Sequence, residues 1–210
     1  MEFDFWLNKW KRHEIGFHLD KVNPVLIDHI GRLPLPKDGR LFLPLCGKTL
    51  DIGWLLSQGY RVVGCELSEL AVNELFGELE VQPDITELVD GLHYSTHNID
   101  IFVYDIFKLS SDMLGRVDAT YDRAALVALP METRPRYATH LTALTASAPQ
   151  LLITLVYDQN EMAGPPFSVI DEEVRTHYRD SYEPTLLASA DVPGGLKGKC
   201  AALENVWLLS

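Results

Sequence analysis

The feature that most constrains the fold is an alternation of short apolar segments with amphipathic helices in the first half of the chain. Residues 40–45 and 61–65 are mostly apolar and have the length of strands. Residues 50–58 have apolar side chains at helical spacing, and Ser68 precedes a second segment of this kind. Strands that alternate with helices at this spacing pair in parallel, because each helix crosses over the sheet.

The same pattern continues to the end of the chain, without an internal repeat or a linker. Further helices are predicted over residues 23–33, 132–144 and 171–178, and further strands over 99–104, 119–121 and 151–157. Residues 182–189 and 203–209 are predicted to form a closing antiparallel pair. We therefore expect one doubly wound α/β domain over residues 1–210.

Charge and composition exclude several classes of function. The chain has 30 acidic and 18 basic residues, a net charge of -12 that repels nucleic acid. No apolar run approaches the roughly 20 residues that a membrane span needs. The three cysteines are an odd number without metal-type spacing, and the N-terminus does not resemble a signal peptide. We expect a cytoplasmic protein without a bound metal, a nucleic-acid partner or a membrane partner.

A cofactor site is predicted where the first two strands end, because open parallel sheets bind ligands beyond the carboxyl ends of their strands. The first strand ends at Leu45, and the second ends at Glu66, about 20 residues further on. A carboxylate at this spacing accepts hydrogen bonds from the hydroxyls of a ribose. Nicotinamide dinucleotides and S-adenosylmethionine both contain a ribose, so Glu66 alone does not distinguish them.

The glycines of the first loop favour S-adenosylmethionine. A pyrophosphate requires the run G-x-G-x-x-G, whereas this loop contains Gly47 alone. The sequence Gly47-Lys48-Thr49 resembles the end of a nucleotide-binding P-loop, but Phe42 stands where that loop requires glycine. A nicotinamide oxidoreductase and a nucleoside triphosphatase are both disfavoured.

Two further groups of residues are candidates for contact with the cofactor or substrate: polar residues at the ends of later strands and aromatic residues near the N-terminus. Each group has two interpretations. Asp105 either meets an adenine amino group or caps a turn, and Arg123 either faces the crevice or pairs with its neighbour Asp122. The aromatic residues recur along one predicted helix face and either pack on the domain or contact a ligand. They are Phe3, Trp6, Trp10 and Phe17.

Several segments together resemble the thiopurine S-methyltransferase family over nearly the whole chain. They are FWLNKWKRHEIGFH (5–18), LFLPLCGKTLDIGWL (41–55), VVGCELSELAV (62–72), YDRAALVALP (121–130) and TLVYDQNEMAGPPFSV (154–169). The resemblance implies a class I methyltransferase with a seven-stranded sheet and a helical lid over residues 1–20. It also implies S-adenosyl-L-methionine as cofactor, S-adenosyl-L-homocysteine as its product and a small-molecule thiol as substrate. We expect a monomer.

The resemblance also assigns residues to the site. The implied cofactor contacts are Trp10, Leu45, Glu66, Asp105, Ile106 and Arg123, and the implied substrate contacts are Phe17 and Arg123. Animal members place a second arginine near the substrate, whereas the corresponding stretch here offers Lys197 and Lys199. Lysine lacks the planar fork of arginine, so the substrate anion would be held differently.

The reaction that the resemblance implies is the attack of a thiolate on the methyl group of a sulfonium. Our hypothesis is that Arg123 is the catalytic residue and favours the anion electrostatically. Two alternatives remain open: methylation of other small nucleophiles such as selenium or tellurium compounds, and a non-catalytic S-adenosylmethionine sensor.

Overall fold

The computed structural model describes the backbone of residues 3–210 and the side chains from residue 4 onward, so the side chain of Phe3 lies outside the described residues. The α-helices of residues 3–210 are α1 (Phe3–Lys11), α2 (Pro24–His29), α3 (Leu50–Ser57), α4 (Glu69–Glu78), α5 (Ser111–Leu114), α6 (Arg134–Leu144) and α7 (Asp171–Tyr178). The strands are β1 (Arg40–Pro44), β2 (Arg61–Glu66), β3 (Asp84–Leu88), β4 (Gly91–Ser95), β5 (Ile99–Val103), β6 (Ala119–Asp122), β7 (Gln150–Val156), β8 (Pro184–Asp191) and β9 (Leu203–Leu209). In this part of the chain, every helix is too short or too polar to cross a membrane.

All of these strands form a single sheet in the order β3-β4-β5-β2-β1-β6-β7-β9-β8. The five central strands pair in parallel, and both edges of the sheet are antiparallel. The chain builds from β1 towards β2 and β5, and then returns to add β6 and β7 on the other side of β1. This order confirms the predicted doubly wound α/β fold and places the reversal of strand order between β1 and β6.

The sheet has nine strands where the resemblance implied seven. The two additional strands are the hairpin β3–β4, which pairs with the edge of β5. Most of β3 is exposed, so its sequence lacks the alternation of apolar and polar residues that indicates a half-buried strand. The hairpin lies at the end of the sheet away from β6 and β7.

Two hydrophobic clusters cover the two faces of the sheet. Side chains alternate along β1, so Leu41 and Leu43 pack into one cluster and Phe42 into the other. Leu41 and Phe42 are fully buried, and so is Trp207 of β9. Such burial on both faces is the pattern of central strands in a parallel sheet and explains their continuous apolar sequence.

The spacing of the N-terminal aromatic residues predicts that they share one face of a single helix, but in the structure they do not lie on one continuous helix. Helix α1 ends at Lys11, and a turn follows in which His13 has a left-handed backbone with φ of 52°. The chain thereby folds back, and the ring of Phe17 meets those of Trp10 and Trp6 at centroid distances of 5.5 and 5.6 Å. The three rings are therefore brought together by the turn after α1, and not by helical spacing as the sequence indicated.

A buried ion pair connects α6 with α7 and with the segment between β7 and α7. Arg134 is 1% exposed and lies 2.8 Å from Glu173. Its guanidinium also donates to the carbonyl oxygens of Leu129 and Ser168, at 2.9 and 3.1 Å. The conformation of the segment before α7 therefore depends on a side chain of α6.

We predict that Arg134→Met lowers the free energy of unfolding by about 3–5 kcal/mol, because it removes the arginine that pairs with the partly buried Glu173 carboxylate and leaves that carboxylate only its contact with His177. The double variant Arg134→Met/Glu173→Leu should recover part of that loss, since no uncompensated charge remains. Urea unfolding measures both. A double variant as unstable as the single one would show that the two carbonyl contacts, and not the charge, dominate.

Candidate functional site

A cavity of about 610 Å³ opens where β1, β2 and β6 end. Its walls come from the loops after these strands, from α1 and the turn after it, from the segment before α7 and from the start of β9. Five predicted site residues line this cavity together: Trp10, Phe17, Leu45, Glu66 and Arg123. The position agrees with the reversal of strand order between β1 and β6.

Glu66 connects the loop after β1 with the loop after its own strand. One carboxylate oxygen accepts the N–H of Gly47 at 2.8 Å, and the other accepts those of Leu67 and Ser68, each at 2.9 Å. Burial raises the pKa of this carboxyl, and the three backbone hydrogen bonds act in the opposite direction. A carboxylate has about four acceptor sites, so the group retains capacity for a ligand hydroxyl.

Leu45 and Ala124 have left-handed backbones on either side of the reversal point. Their φ angles are 47° and 64°, and both residues line the cavity. This conformation costs a residue with a Cβ roughly 1–2 kcal/mol, and such outliers cluster at functional sites. Both residues stand where the chain leaves the sheet, Leu45 directly after β1 and Ala124 two residues after β6.

Trp10 lies directly on the loop after β1. It is 3% exposed, and a Cβ built on Gly47 would lie only 3.0 Å from its ring. Gly47 also has a φ of 55°, which favours glycine for a second reason. The ring of Phe17 packs on Trp10 and extends the aromatic wall of the cavity.

Arg123 is partly buried and forms no ion pair with any residue of the described chain. Its neighbour Asp122 is fully buried and accepts hydrogen bonds from the Tyr137 hydroxyl at 2.8 Å and from the N–H of Leu126 at 3.1 Å. Burial raises the pKa of Asp122 to about 6. The alternative in which Arg123 pairs with Asp122 is therefore wrong, and Arg123 is one of the residues that line the cavity.

Asp105 and Ile106 are not among the residues that line the cavity. The Asp105 carboxylate accepts the N–H of Phe107 at 3.0 Å and so caps a short 3-10 turn. Ile106 is fully buried, and its carbonyl oxygen lies 2.7 Å from Nε2 of His140. The capping role considered for Asp105 is observed, and the contact of both residues with adenine stays a prediction.

The cavity contains charged residues that the sequence did not identify as a group. Glu204, the second residue of β9, projects into it from the side opposite to Glu66. Lys197 also lines the cavity, and its ammonium donates to the carbonyl oxygen of Pro165 at 2.8 Å, whereas Lys199 does not line it. A charged residue inside an apolar strand was the only sequence signal for Glu204.

Asp51 fixes the base of the cavity. It is 1% exposed and accepts the N–H of Asn23 at 2.8 Å and the hydroxyl of Tyr121 at 3.1 Å. These bonds connect α3 with the start of α2 and with β6. Within residues 3–210, no three histidine, cysteine or acidic side chains are grouped closely enough to hold a metal ion.

Comparison with known proteins identifies the family. The family model described as thiopurine S-methyltransferase matches residues 1–206. A thiopurine S-methyltransferase of Xanthobacter autotrophicus is 55% identical over 210 residues, which cover 100% of this chain and 99% of that protein. One of Gluconobacter oxydans is 50% identical over 206 residues, covering 98% and 94%. The chain belongs to the thiopurine S-methyltransferase family.

Solved structures agree with this family fold. A SAM-dependent methyltransferase of Anabaena variabilis superimposes with a TM-score of 0.65 at 16% identity, covering 99% of this chain and 95% of that one. The 1,6-didemethyltoxoflavin-N1-methyltransferase of Burkholderia thailandensis, solved with S-adenosylhomocysteine, gives 0.68 at 15% identity, covering 99% and 87%. At these identities the likeness establishes the class I methyltransferase fold alone.

The contact between Trp10 and Gly47 leads to a prediction with a matched control. Gly47→Ala and Gly59→Ala both place a Cβ on a left-handed residue, so each should lower the free energy of unfolding by roughly 1–2 kcal/mol. Only Gly47→Ala pushes against Trp10, because nothing lies within 4 Å of a Cβ on Gly59. Urea unfolding measures the stability, and limited proteolysis measures the release of residues 3–18.

The result expected for Gly47→Ala is faster cleavage before residue 18, with no such change in Gly59→Ala. Equal cleavage of the two variants would contradict the claim that Trp10 holds the N-terminal segment on this loop.

Proposed function

We propose that the chain is an S-adenosylmethionine-dependent methyltransferase that methylates the sulfur of thiopurines or similar aromatic and heterocyclic thiols. Membership of the thiopurine S-methyltransferase family over residues 1–206 carries this proposal. The cavity supports it, because Glu66 retains acceptor capacity and the unpaired Arg123 faces the same space. Its volume of about 610 Å³ falls within the range of small-molecule sites.

The residues around Glu66 fit S-adenosylmethionine better than a dinucleotide. Gly47 gives its N–H to Glu66, so this N–H is not free to bind a phosphate. In the proposed complex, Glu66 binds the ribose, the backbone of Leu45 meets the methionine part, and Trp10 packs on the cofactor. The position of Asp105 and Ile106 directly after β5, the strand beside β2, supports their proposed place at the adenine.

When bound, the cofactor supplies an electrophilic methyl group on a sulfonium. The chain then has three tasks: to orient the substrate sulfur, to stabilise its anion and to exclude water. We assign the second task to Arg123, whose charge favours the thiolate. Phe17 packs beside the substrate ring, and the N-terminal segment, described from residue 3 to residue 20, covers the site. Lys197 offers a second positive charge where animal members use arginine.

Residues 1–210 act as one methyltransferase domain in this proposal, and we place the protein in the cytoplasm. Cys46, Cys65 and Cys200 are all buried and unpaired with one another, which supports a reducing compartment. We also propose a monomer.

Calorimetric binding of S-adenosylmethionine and S-adenosylhomocysteine, followed by methyl transfer to 6-mercaptopurine, tests this function. We expect both ligands to bind and the thiol to be methylated. Binding without turnover of any thiol would favour another nucleophile, such as a selenium or tellurium compound, or a sensor. If neither ligand binds, the cofactor site around Glu66 and Leu45 is wrong.

The role of Arg123 is tested with Arg123→Gln, which removes the charge and keeps a polar side chain. Loss of the cation should raise the pKa of the bound thiol and lower kcat/KM at neutral pH by about 10²–10³-fold, as for the loss of one preorganised donor. The defect should shrink as the pH rises and the free thiol ionises. The control is Arg116→Gln, since the side chain of Arg116 is 91% exposed and outside the cavity. An unchanged pH–rate profile in Arg123→Gln would refute the electrostatic role.

A further inference from the structure

Glu204 lies at the end of the cavity farthest from Glu66. Strand β9 runs antiparallel to β7, so its first residues lie beside the carboxyl end of β7, where Glu204 pairs with Leu155. Leu155 and Ile153 both line the cavity, and Glu204 lines it with them. The next residue, Asn205, points to the other face and donates to Asp171 at 2.8 Å.

The order of the strands places three charges in a row across the cavity. Glu66 on β2 and Glu204 on β9 are separated by four strand spacings of about 4.8 Å each, and Arg123 after β6 lies two spacings from either. In the proposed complex the cofactor occupies the side of Glu66. On that arrangement, the space between Arg123 and Glu204 is left for the substrate ring.

Glu204 differs from the other acids of the cavity because its carboxylate has no partner. Among the described residues, Glu14 pairs with Lys9, Asp51 with Asn23 and Tyr121, and Glu66 with three backbone N–H groups. The side chain of Glu204 forms no hydrogen bond or ion pair with any of residues 3–210, although it is partly buried and its backbone pairs with β7 and β8. Because no side chain or backbone N–H of the described chain occupies this carboxylate, its oxygens are available to a ligand in the cavity.

The chemistry of the substrate class supplies a partner for this carboxylate. Heteroaromatic thiones carry their acidic proton on a ring nitrogen, and their sulfur becomes a strong nucleophile as that proton leaves. A carboxylate that accepts this N–H increases the electron density on the sulfur. Arg123, on the sulfur side, stabilises the same negative charge.

We propose that Glu204 binds the ring N–H of the substrate and takes up its proton during methyl transfer, which makes the site selective for N–H heteroaromatic thiones. The inference rests on the proposed function. The N–H bond of the substrate breaks and its proton passes to the carboxylate, while a C–S bond forms between the substrate sulfur and the methyl carbon. The original C–S bond of the sulfonium breaks with its electron pair remaining on the leaving sulfur, and the proton then passes to solvent.

The charges around Glu204 determine the direction of its pH dependence. Burial raises the pKa of this carboxyl, and the positive charge of Arg123 acts against the rise. The titratable side chains of Tyr121, Lys9 and Lys197 line the same cavity. On the adjacent strands β7 and β8, the residues opposite Glu204 are Leu155 and Ala190, which carry no charge. Since the ionised form accepts the proton, methylation of N–H thiones should fall as the pH drops through this raised pKa.

The test compares Glu204→Gln with the unmodified enzyme on two substrates. One is 6-mercaptopurine, which has ring N–H groups, and the other is a benzenethiol, which has none. For 6-mercaptopurine, kcat/KM should fall by about 10²-fold or more, and the acidic limb of its pH profile should disappear. For the benzenethiol, kcat/KM should stay constant or rise, because the variant removes a charge that repels the thiolate.

Binding gives a readout that does not depend on turnover. Calorimetry of the S-adenosylhomocysteine complex should show weaker affinity of Glu204→Gln for 6-mercaptopurine, with unchanged affinity for S-adenosylhomocysteine itself. Glu204→Asp should keep the acidic limb, because it retains a carboxylate on the same strand. Glu132→Gln, an exposed position outside the cavity, is the matched control and should behave as the unmodified enzyme.

Equal losses on both substrates, or no loss on either, would overturn the role of Glu204. Both outcomes differ from a failure of the proposed function, in which the unmodified enzyme methylates neither substrate. If Glu204→Gln no longer binds S-adenosylhomocysteine, the proposal is tested by comparing Glu204→Asp with the unmodified enzyme. Loss of the acidic limb in the pH profile of Glu204→Asp would overturn the proposal.

Discussion

The carboxylate of Glu66 holds together the loops from which the cavity is built. It collects three backbone N–H groups, one from the loop after β1 and two from the loop after β2. Removing this charge from water is unfavourable, and the three hydrogen bonds offset much of that penalty. The position of Gly47 depends on this bond, and the position of Trp10 depends on Gly47. The N-terminal wall of the cavity thus depends on an acid in the middle of the sheet.

The sheet also explains why the charges of the cavity form a row. Parallel strands end at one edge, so the residue after each strand faces the same crevice. Glu66 follows this rule on β2 and Arg123 follows it after β6, whereas Glu204 reaches the crevice because β9 runs in the opposite direction. The antiparallel edge therefore adds a side chain that no parallel strand could place there.

The strand and helix alternation of the sequence was sufficient to predict the parallel centre of the sheet and the place of Glu66 at the end of β2, because buried parallel strands and crossover helices leave strong apolar patterns. The hairpin β3–β4 was missed because β3 is exposed and lacks such a pattern. Phe17 was placed on a helix that ends six residues earlier, because spacing does not show where a turn brings rings together. Glu204 was missed because a single acid in a strand has the same appearance whether it faces solvent or a cavity.

The left-handed backbones of Leu45 and Ala124 have a consequence for how this family can vary. Both residues line the cavity just after a strand, and a left-handed backbone fixes the direction in which the chain leaves that strand. Glycine and asparagine adopt this conformation readily, whereas valine and isoleucine resist it. Substitution at these positions is therefore limited by backbone geometry as well as by contact with a ligand.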